Sequence, residues 1–262
     1  MSLPPETQGS AADSSSNQPK PTQISEVTPA PALKEQNRRN HLEIRQRLID
    51  AAEGRLVGVI EEFEKTFDIL AKYEQTVSVF GSARLAQDHP ACQQAYNLGK
   101  ELARRGYALV TGGGHGIMEA VNHGAFDVGG VSIGLNIKLP TEQTLNEYTT
   151  EHYTFQHFFG RKVSLTLDAS GYIFCAGGFG TLDELFEITT LEQTAVVPRA
   201  PIILLGKDFW KPMEHYIVES LSEKYATISP EDPSLHLITD DIQEAISLIE
   251  AYKILAAKAN SA

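Results

Sequence analysis

The chain is predicted to fold as a doubly wound parallel α/β sheet with helices on both faces, preceded by a helical extension. Three observations predict it. Short apolar runs alternate with amphipathic segments across residues 76–258, as right-handed βαβ units require. Three of those runs end in glycine-rich turns: Gly81-Ser82, Gly112 to Gly116, and Gly177 to Thr181. Upstream, Ile44, Leu48, Ala52, Leu56, Ile60, Phe63, Phe67 and Leu70 recur at spacings of three and four. That period describes one amphipathic helix, or two broken near Gly54, within an extension over residues 37–75.

Taken in order, residues 1–36 hold six of the thirteen prolines and no aromatic residue. Such a segment cannot bury enough apolar area to offset its ordering entropy, so a disordered tail is expected. The apolar stripe after it must pack on something, either the main domain or a second copy of the chain. Strands are expected at 77–81, 107–111, 131–137, 172–175, 201–205 and 235–239. Helices are expected at about 90–105, 117–128, 155–167, 181–194 and 210–221, with a closing helix from Ile242. An irregular stretch rich in Pro, Thr and Asn separates the third strand from the fourth helix.

Composition narrows the function classes. A net charge of −12 argues against nucleic acid or an anionic membrane as the main partner. Cys92 and Cys175 are the two cysteines; without CxxC or paired histidines they give neither a disulfide framework nor a zinc site. No apolar run approaches the roughly 18 residues of a membrane span. The first residues lack a basic region followed by an apolar core, so no secretory signal is expected and a cytoplasmic location is.

In parallel sheets ligands bind outside the carboxyl ends of the strands. Three glycine turns at that edge make a phosphate-sized site the expectation. The turn after the first strand reads GSAR and the second loop lacks the third glycine of GxGxxG, which disfavours a dinucleotide. Neither remaining loop carries the lysine of a P-loop. A smaller phosphorylated ligand is left, a mononucleotide or sugar phosphate. The last turn carries the strongest signal. A strand ending in glycines and opening into a helix leaves backbone N–H groups free for an anion, and Asp183 and Glu184 follow within one turn.

Several segments carry a family resemblance: GGGHGIMEAVNHGA, SIGLNIKLP, FFGRK, and AGGFGTLDELFE followed by LEQT. In order and spacing they resemble the LOG family, the cytokinin riboside 5′-monophosphate phosphoribohydrolases, long labelled lysine decarboxylases. The resemblance covers about residues 77–206, and the opening VSVFGSAR is most similar to the larger bacterial members. It implies a Rossmann-like fold and a homodimer or larger assembly. It also implies hydrolysis of the N-glycosidic bond of nucleoside 5′-monophosphates, with no metal or cofactor. The family signature PGGxGTxxE falls on Gly177, Gly178, Gly180, Thr181 and Glu184, with the upstream pair at Arg161 and Lys162. Two positions depart from it. Ala176 replaces a proline, which frees φ and adds an N–H. Gly160, before Arg161, is a helix residue costing about 1 kcal/mol relative to alanine.

Breaking a glycosidic bond builds positive charge on the ribose, which a carboxylate near C1′ stabilises while orienting or deprotonating water. Glu184 is the candidate, because it lies one turn past the glycines. The competing reading is a capping box, Thr181-Leu182-Asp183-Glu184, in which Glu184 serves only the helix end. Arg161 supplies a planar fork for phosphate, ribose or base, or is a solvated helix residue. Gly112, Gly113, Gly114 and Gly116 are expected to approach the ligand through backbone N–H groups, or to serve turn geometry alone. Gly81 and Ser82, with Arg84, are expected to line the opposite side, and Glu119 to reach the ribose. A non-catalytic nucleotide or cofactor carrier on the same scaffold is the alternative function. A lysine decarboxylase is rejected, since no lysine lies in the glycine turns to form a Schiff base.

Overall fold

The computed structural model describes residues 31–139, 144–167 and 169–259. The chain divides into two compact units, Met1–Ala52 and Glu53–Ala262. In the first, the described part is helical and belongs to α1 (Pro31–Leu70), with Leu42, Ile44, Leu48 and Ile49 exposed. The expectation of a disordered tail falls mostly on residues 1–30, which lie outside the described residues; the helix itself starts at Pro31, ahead of 37, and continues through Gly54.

The second unit is a three-layer α/β domain. Its elements are β1 (Thr76–Phe80), α2 (Pro90–Arg104), β2 (Ala108–Thr111), α3 (Ile117–Asp127), β3 (Ser132–Ile137) and β4 (Glu151–Phe155). There follow α4 (Phe158–Thr166), β5 (Tyr172–Phe174), α5 (Phe179–Gln193), β6 (Ile202–Leu205), α6 (Lys207–Tyr216), β7 (His236–Thr239) and α7 (Ile242–Ala259). A π-helical turn, Ile217–Lys224, prolongs α6. All strand pairs are parallel, in the order β4-β3-β2-β1-β5-β6-β7. The chain therefore winds outward from β1 in one direction, then returns to β5 on its other side. The loops after β1 and β5 diverge, opening a crevice at the switch point.

Alternation along the central strands explains the layers. Val77 and Val79 of β1 and Ile173 of β5 face one core with Leu98 and Leu102 of α2, Val121 of α3 and Ile246 of α7. Phe80 and Phe174 face the other, with Leu165 of α4, Leu185 of α5 and Trp210 of α6. The two phenylalanine rings stack at 4.7 Å, and Trp210 Nε1 donates to the Phe174 carbonyl at 3.0 Å. Ser78, polar within this layer, donates to the Leu165 carbonyl at 2.7 Å and so anchors the end of α4. Cys175 is buried beside the other core, which pushes its thiol up to about 12 and leaves it inert.

Two expectations are corrected. Strand β4 lies where irregular chain and a helix start were expected; it is an edge strand whose outward residues are polar, so EHYTF shows little apolar signal. Within residues 53–70 of α1 the buried face is Val59, Glu62, Thr66 and Leu70, while Leu56, Ile60 and Phe67 are exposed. The burial is thus rotated away from the most apolar stripe, because polar side chains on that face find partners on α4 and on the residues leading into it.

Beneath the Gly112–Gly116 loop lies a fully buried polar network. Asn122 Oδ1 accepts from Thr111 Oγ1 at 2.7 Å and from Asn146 Nδ2 at 3.0 Å, and Asn122 Nδ2 donates to Ser132 Oγ at 2.7 Å. Asn122→Ala strands these groups in the interior. It is expected to lower unfolding free energy by about 2–4 kcal/mol, read from the urea midpoint at unchanged slope.

Candidate active site

The cleft at the switch point has a volume of about 580 Å³. Gly81, Ser82 and Arg84 line it from the β1 side, Gly112 and Met118 from the β2 side, and Gly178, Gly180, Thr181 and Glu184 from α5, with Arg161 reaching in from α4. Phe158 and Phe179 stand at its mouth, Phe179 being 93% exposed.

The anion cradle starts earlier than its sequence suggests. Helix α5 begins at Phe179 with Gly178 as N-cap and no capping side chain. Its first-turn N–H groups have no intrahelical acceptor, and the helix dipole favours an anion there. A Cβ on Gly178 or Gly180 would meet nothing within 4 Å, so open space lies over these two residues. The earlier start also removes the capping-box reading: Thr181 is the third helical residue, and Glu184 lies a turn deeper in the helix.

Glu184 is 8% exposed, as is Arg161. Burial pushes the Glu184 carboxyl up to about 7; Arg161 and Lys162 oppose the rise, and Asp183 and Glu187 add to it. Arg161 Nη1 stands 3.6 Å from Glu184 Oε1, an ion-pair distance without a direct hydrogen bond. The fork is fixed from behind, because Nε donates to the Leu135 carbonyl at 2.8 Å. Burial lowers the Arg161 pKa and Glu184 pulls it back. The arrangement is a carboxyl pushed up to about 7 beside a held cation, one turn from an uncapped helix N-terminus with open space over it. It suits proton transfer at a group attached to a phosphate-bearing ligand.

Of the expected site residues, Gly81, Ser82, Gly112, Arg161, Gly178, Gly180, Thr181 and Glu184 come together here. Gly113, Gly114, Gly116, Glu119, Lys162 and Gly177 do not line this cleft. The Gly113 and Gly114 carbonyls accept from Asn146. Gly116 has φ +63°, and a Cβ there would come within 2.3 Å of the Ser82 carbonyl oxygen, so this glycine lets two loops meet. Glu119 binds His115 Nδ1 at 2.8 Å. Lys162 bridges Asp183 at 2.8 Å and Glu187 at 3.2 Å, tying α4 to α5. A Cβ on Gly177 would strike Thr181 Oγ1. Even Gly112, which does line the cleft, makes room for protein: a Cβ there would lie 2.2 Å from Arg161 Nη2. Ser82 Oγ accepts from the Arg84 N–H at 3.1 Å, closing the turn that presents Arg84. Arg84 lies two residues after Ser82 in the same turn, so the signal for it was local.

Sheet and cleft together define a class: a Rossmann-like α/β protein with an open, glycine-lined helix start above a buried carboxyl–guanidinium pair. Residues 118–249 match the model of a family described as "Possible lysine decarboxylase". The chain belongs to this family. It is similar to the cytokinin riboside 5′-monophosphate phosphoribohydrolase LOG of Oryza sativa subsp. japonica, 37% identical over 135 residues, covering 50% of this chain and 55% of that protein. A probable enzyme of the same name from that plant, LOGL3, is 31% identical over 161 residues, covering 60% of this chain and 75% of that one. The cytokinin riboside 5′-monophosphate phosphoribohydrolase of Rhodococcoides fascians is 26% identical, covering 68% and 90%. Among solved structures, the molybdenum cofactor carrier protein of Chlamydomonas reinhardtii superposes with a TM-score of 0.51 at 24% identity, covering 70% of this chain and 98% of that one. At that identity the likeness is one of fold. Among the described residues no helix is long and apolar enough to cross a membrane.

The family's description raises lysine decarboxylation, whose Schiff-base cofactor needs a lysine amine. The residues do not fit such a group: among the described residues no lysine lines the cleft, and Lys162 is held by two carboxylates.

Proposed function

We propose that the protein hydrolyses the N-glycosidic bond of nucleoside 5′-monophosphates, AMP-like or cytokinin riboside monophosphates, releasing free base and ribose 5-phosphate. The observation that carries this reading is the placement of Glu184, a buried carboxyl with a pKa of about 7, one turn beyond the open N-terminus of α5. The 5′-phosphate sits over Gly178 and Gly180, with Arg84 across the cleft. The ribose then lies toward Glu184 and Arg161. As the C1′–N bond breaks, its electron pair leaves with the base, which takes a proton from solvent. A water oxygen bonds C1′ and gives its proton to the Glu184 carboxylate. Arg161 holds that carboxylate in place and favours its ionised form. Names of relatives that act on cytokinin riboside monophosphates support the same substrate class. The protein works in the cytoplasm as a homodimer or larger assembly in this proposal.

The test is incubation of the purified protein with AMP, other monophosphates and a cytokinin riboside monophosphate, followed by detection of free base. Base release from at least one is expected. Tight nucleotide binding with no base from any substrate overturns the enzyme and leaves the carrier.

A further inference from the structure

Glu62 is an acid set into the buried face of α1, 3% exposed. Its Oε1 accepts a hydrogen bond of 2.6 Å from the Gln156 backbone N–H, across 94 residues of sequence. Its Oε2 lies 3.3 Å from His157 Nδ1, and neither of these two atoms has a hydrogen-bond partner among the described residues. Gln156 and His157 lead directly into α4, whose N-cap His157 makes no capping bond with its own side chain. The first-turn N–H groups of such a helix have no intrahelical acceptors, and a carboxylate beside them is favoured by the helix dipole.

Gly160 makes the space. A Cβ on it would stand 3.0 Å from Glu62 Oε2 and 3.4 Å from the Phe155 ring. The neighbouring turns of α1 repeat the contact. A Cβ on Gly58 would come within 3.1 Å of His157 Cε1, and Thr66 Oγ1 lies 2.9 Å from Ser164 Oγ. Residues 58, 62 and 66 of one helix thus meet 157, 160 and 164 of the other. Arg161 is the next residue after Gly160, so the rotation and height of α4 decide where its guanidinium meets Glu184.

We propose that Glu62 is a positioning residue: through the Gln156 N–H it holds the entry to α4 from another helix, with Gly160 as the socket for its carboxylate, and thereby sets Arg161 in the active site. Its kinetic consequence rests on the hydrolase reading; the structural coupling does not. Gly160 then has a physical cause, since a side chain there would displace the Glu62 carboxylate.

The experiment uses the full chain with Glu62→Gln, Glu62→Ala, Gly160→Ala and the double variant Glu62→Ala/Gly160→Ala. Amide hydrogen exchange over residues 156–161, without substrate, is expected to quicken about tenfold in Glu62→Ala, with β1 and β5 unchanged. Glu62→Gln keeps an acceptor for the Gln156 N–H and restores most of the protection. Gly160→Ala quickens the same amides in the native background and adds nothing in the Glu62→Ala background. With AMP as substrate, Glu62→Ala lowers kcat about tenfold because Arg161 is misplaced. KM stays within about threefold because the anion cradle belongs to α5. Unchanged exchange in Glu62→Ala, additive effects of the two alanines, or a raised KM at full kcat would each overturn the proposal. A wild-type protein that releases no base overturns the hydrolase reading instead, and the exchange cycle still decides the coupling.

Discussion

Glu184→Gln is expected to abolish base release, lowering kcat by about a thousandfold, while nucleotide affinity holds. Glutamine keeps the shape of the side chain and cannot take the water's proton. The wild-type rate should rise with pH and level off above about 7, since the ionised carboxylate is the active form and its pKa lies there. The same substitution has an opposite effect on stability. The folded-state pKa stands above the ordinary 4.5, so folding takes up a proton between those values and stability falls as pH rises through the window. Below about 4.5 the carboxyl is neutral in both states and there is no penalty. Above about 7 the full penalty applies, about 3 kcal/mol. Glu184→Gln mimics the neutral form, so it should raise Tm at pH 8 and leave it nearly unchanged at pH 4. Base release that survives the substitution would remove Glu184 from the mechanism.

Arg161→Leu is expected to lower kcat at pH 7 by about a hundredfold and to move the rising limb of the pH profile upward. The guanidinium is the principal influence holding the Glu184 pKa down against burial, and its loss leaves the carboxyl protonated at neutral pH. Arg161→Lys should not rescue. One ammonium cannot reach the Leu135 carbonyl and Glu184 together as the fork does. Gly112→Ala should reproduce the defect from the loop after β2, because its methyl would fall 2.2 Å from Arg161 Nη2 and 2.7 Å from Met118 Sδ. A loss of about a hundredfold in kcat is expected there as well. Full activity in Gly112→Ala would show that the position of Arg161 is immaterial.

How much was legible in the sequence can be judged from these residues. Arg161 and Glu184 were found because their motifs are local: an acid one turn beyond a glycine strand-end, and an Arg-Lys pair in matching family order. The capping-box alternative fell only with the true start of α5, two residues earlier than expected. Such boundaries depend on where the sheet edge releases the chain, which no window of sequence records. Strand β4 was hidden because an edge strand needs few apolar residues. The glycines of the second turn were right as a loop and different in purpose. Gly112 and Gly116 admit a guanidinium and a neighbouring carbonyl, and the open space lies over Gly178 and Gly180.

By itself the sequence determined the parallel α/β class, the three glycine turns at one sheet edge, and the placing of an acid one turn past a glycine helix start. Each of these follows from hydrophobic period or turn chemistry within a few residues. Tertiary structure alone decided which glycines face open space, which face of α1 is buried, and that Glu62 supports α4. Those outcomes rest on contacts between residues up to 98 positions apart. A buried carboxylate is tolerated only where a distant N–H and a missing Cβ receive it.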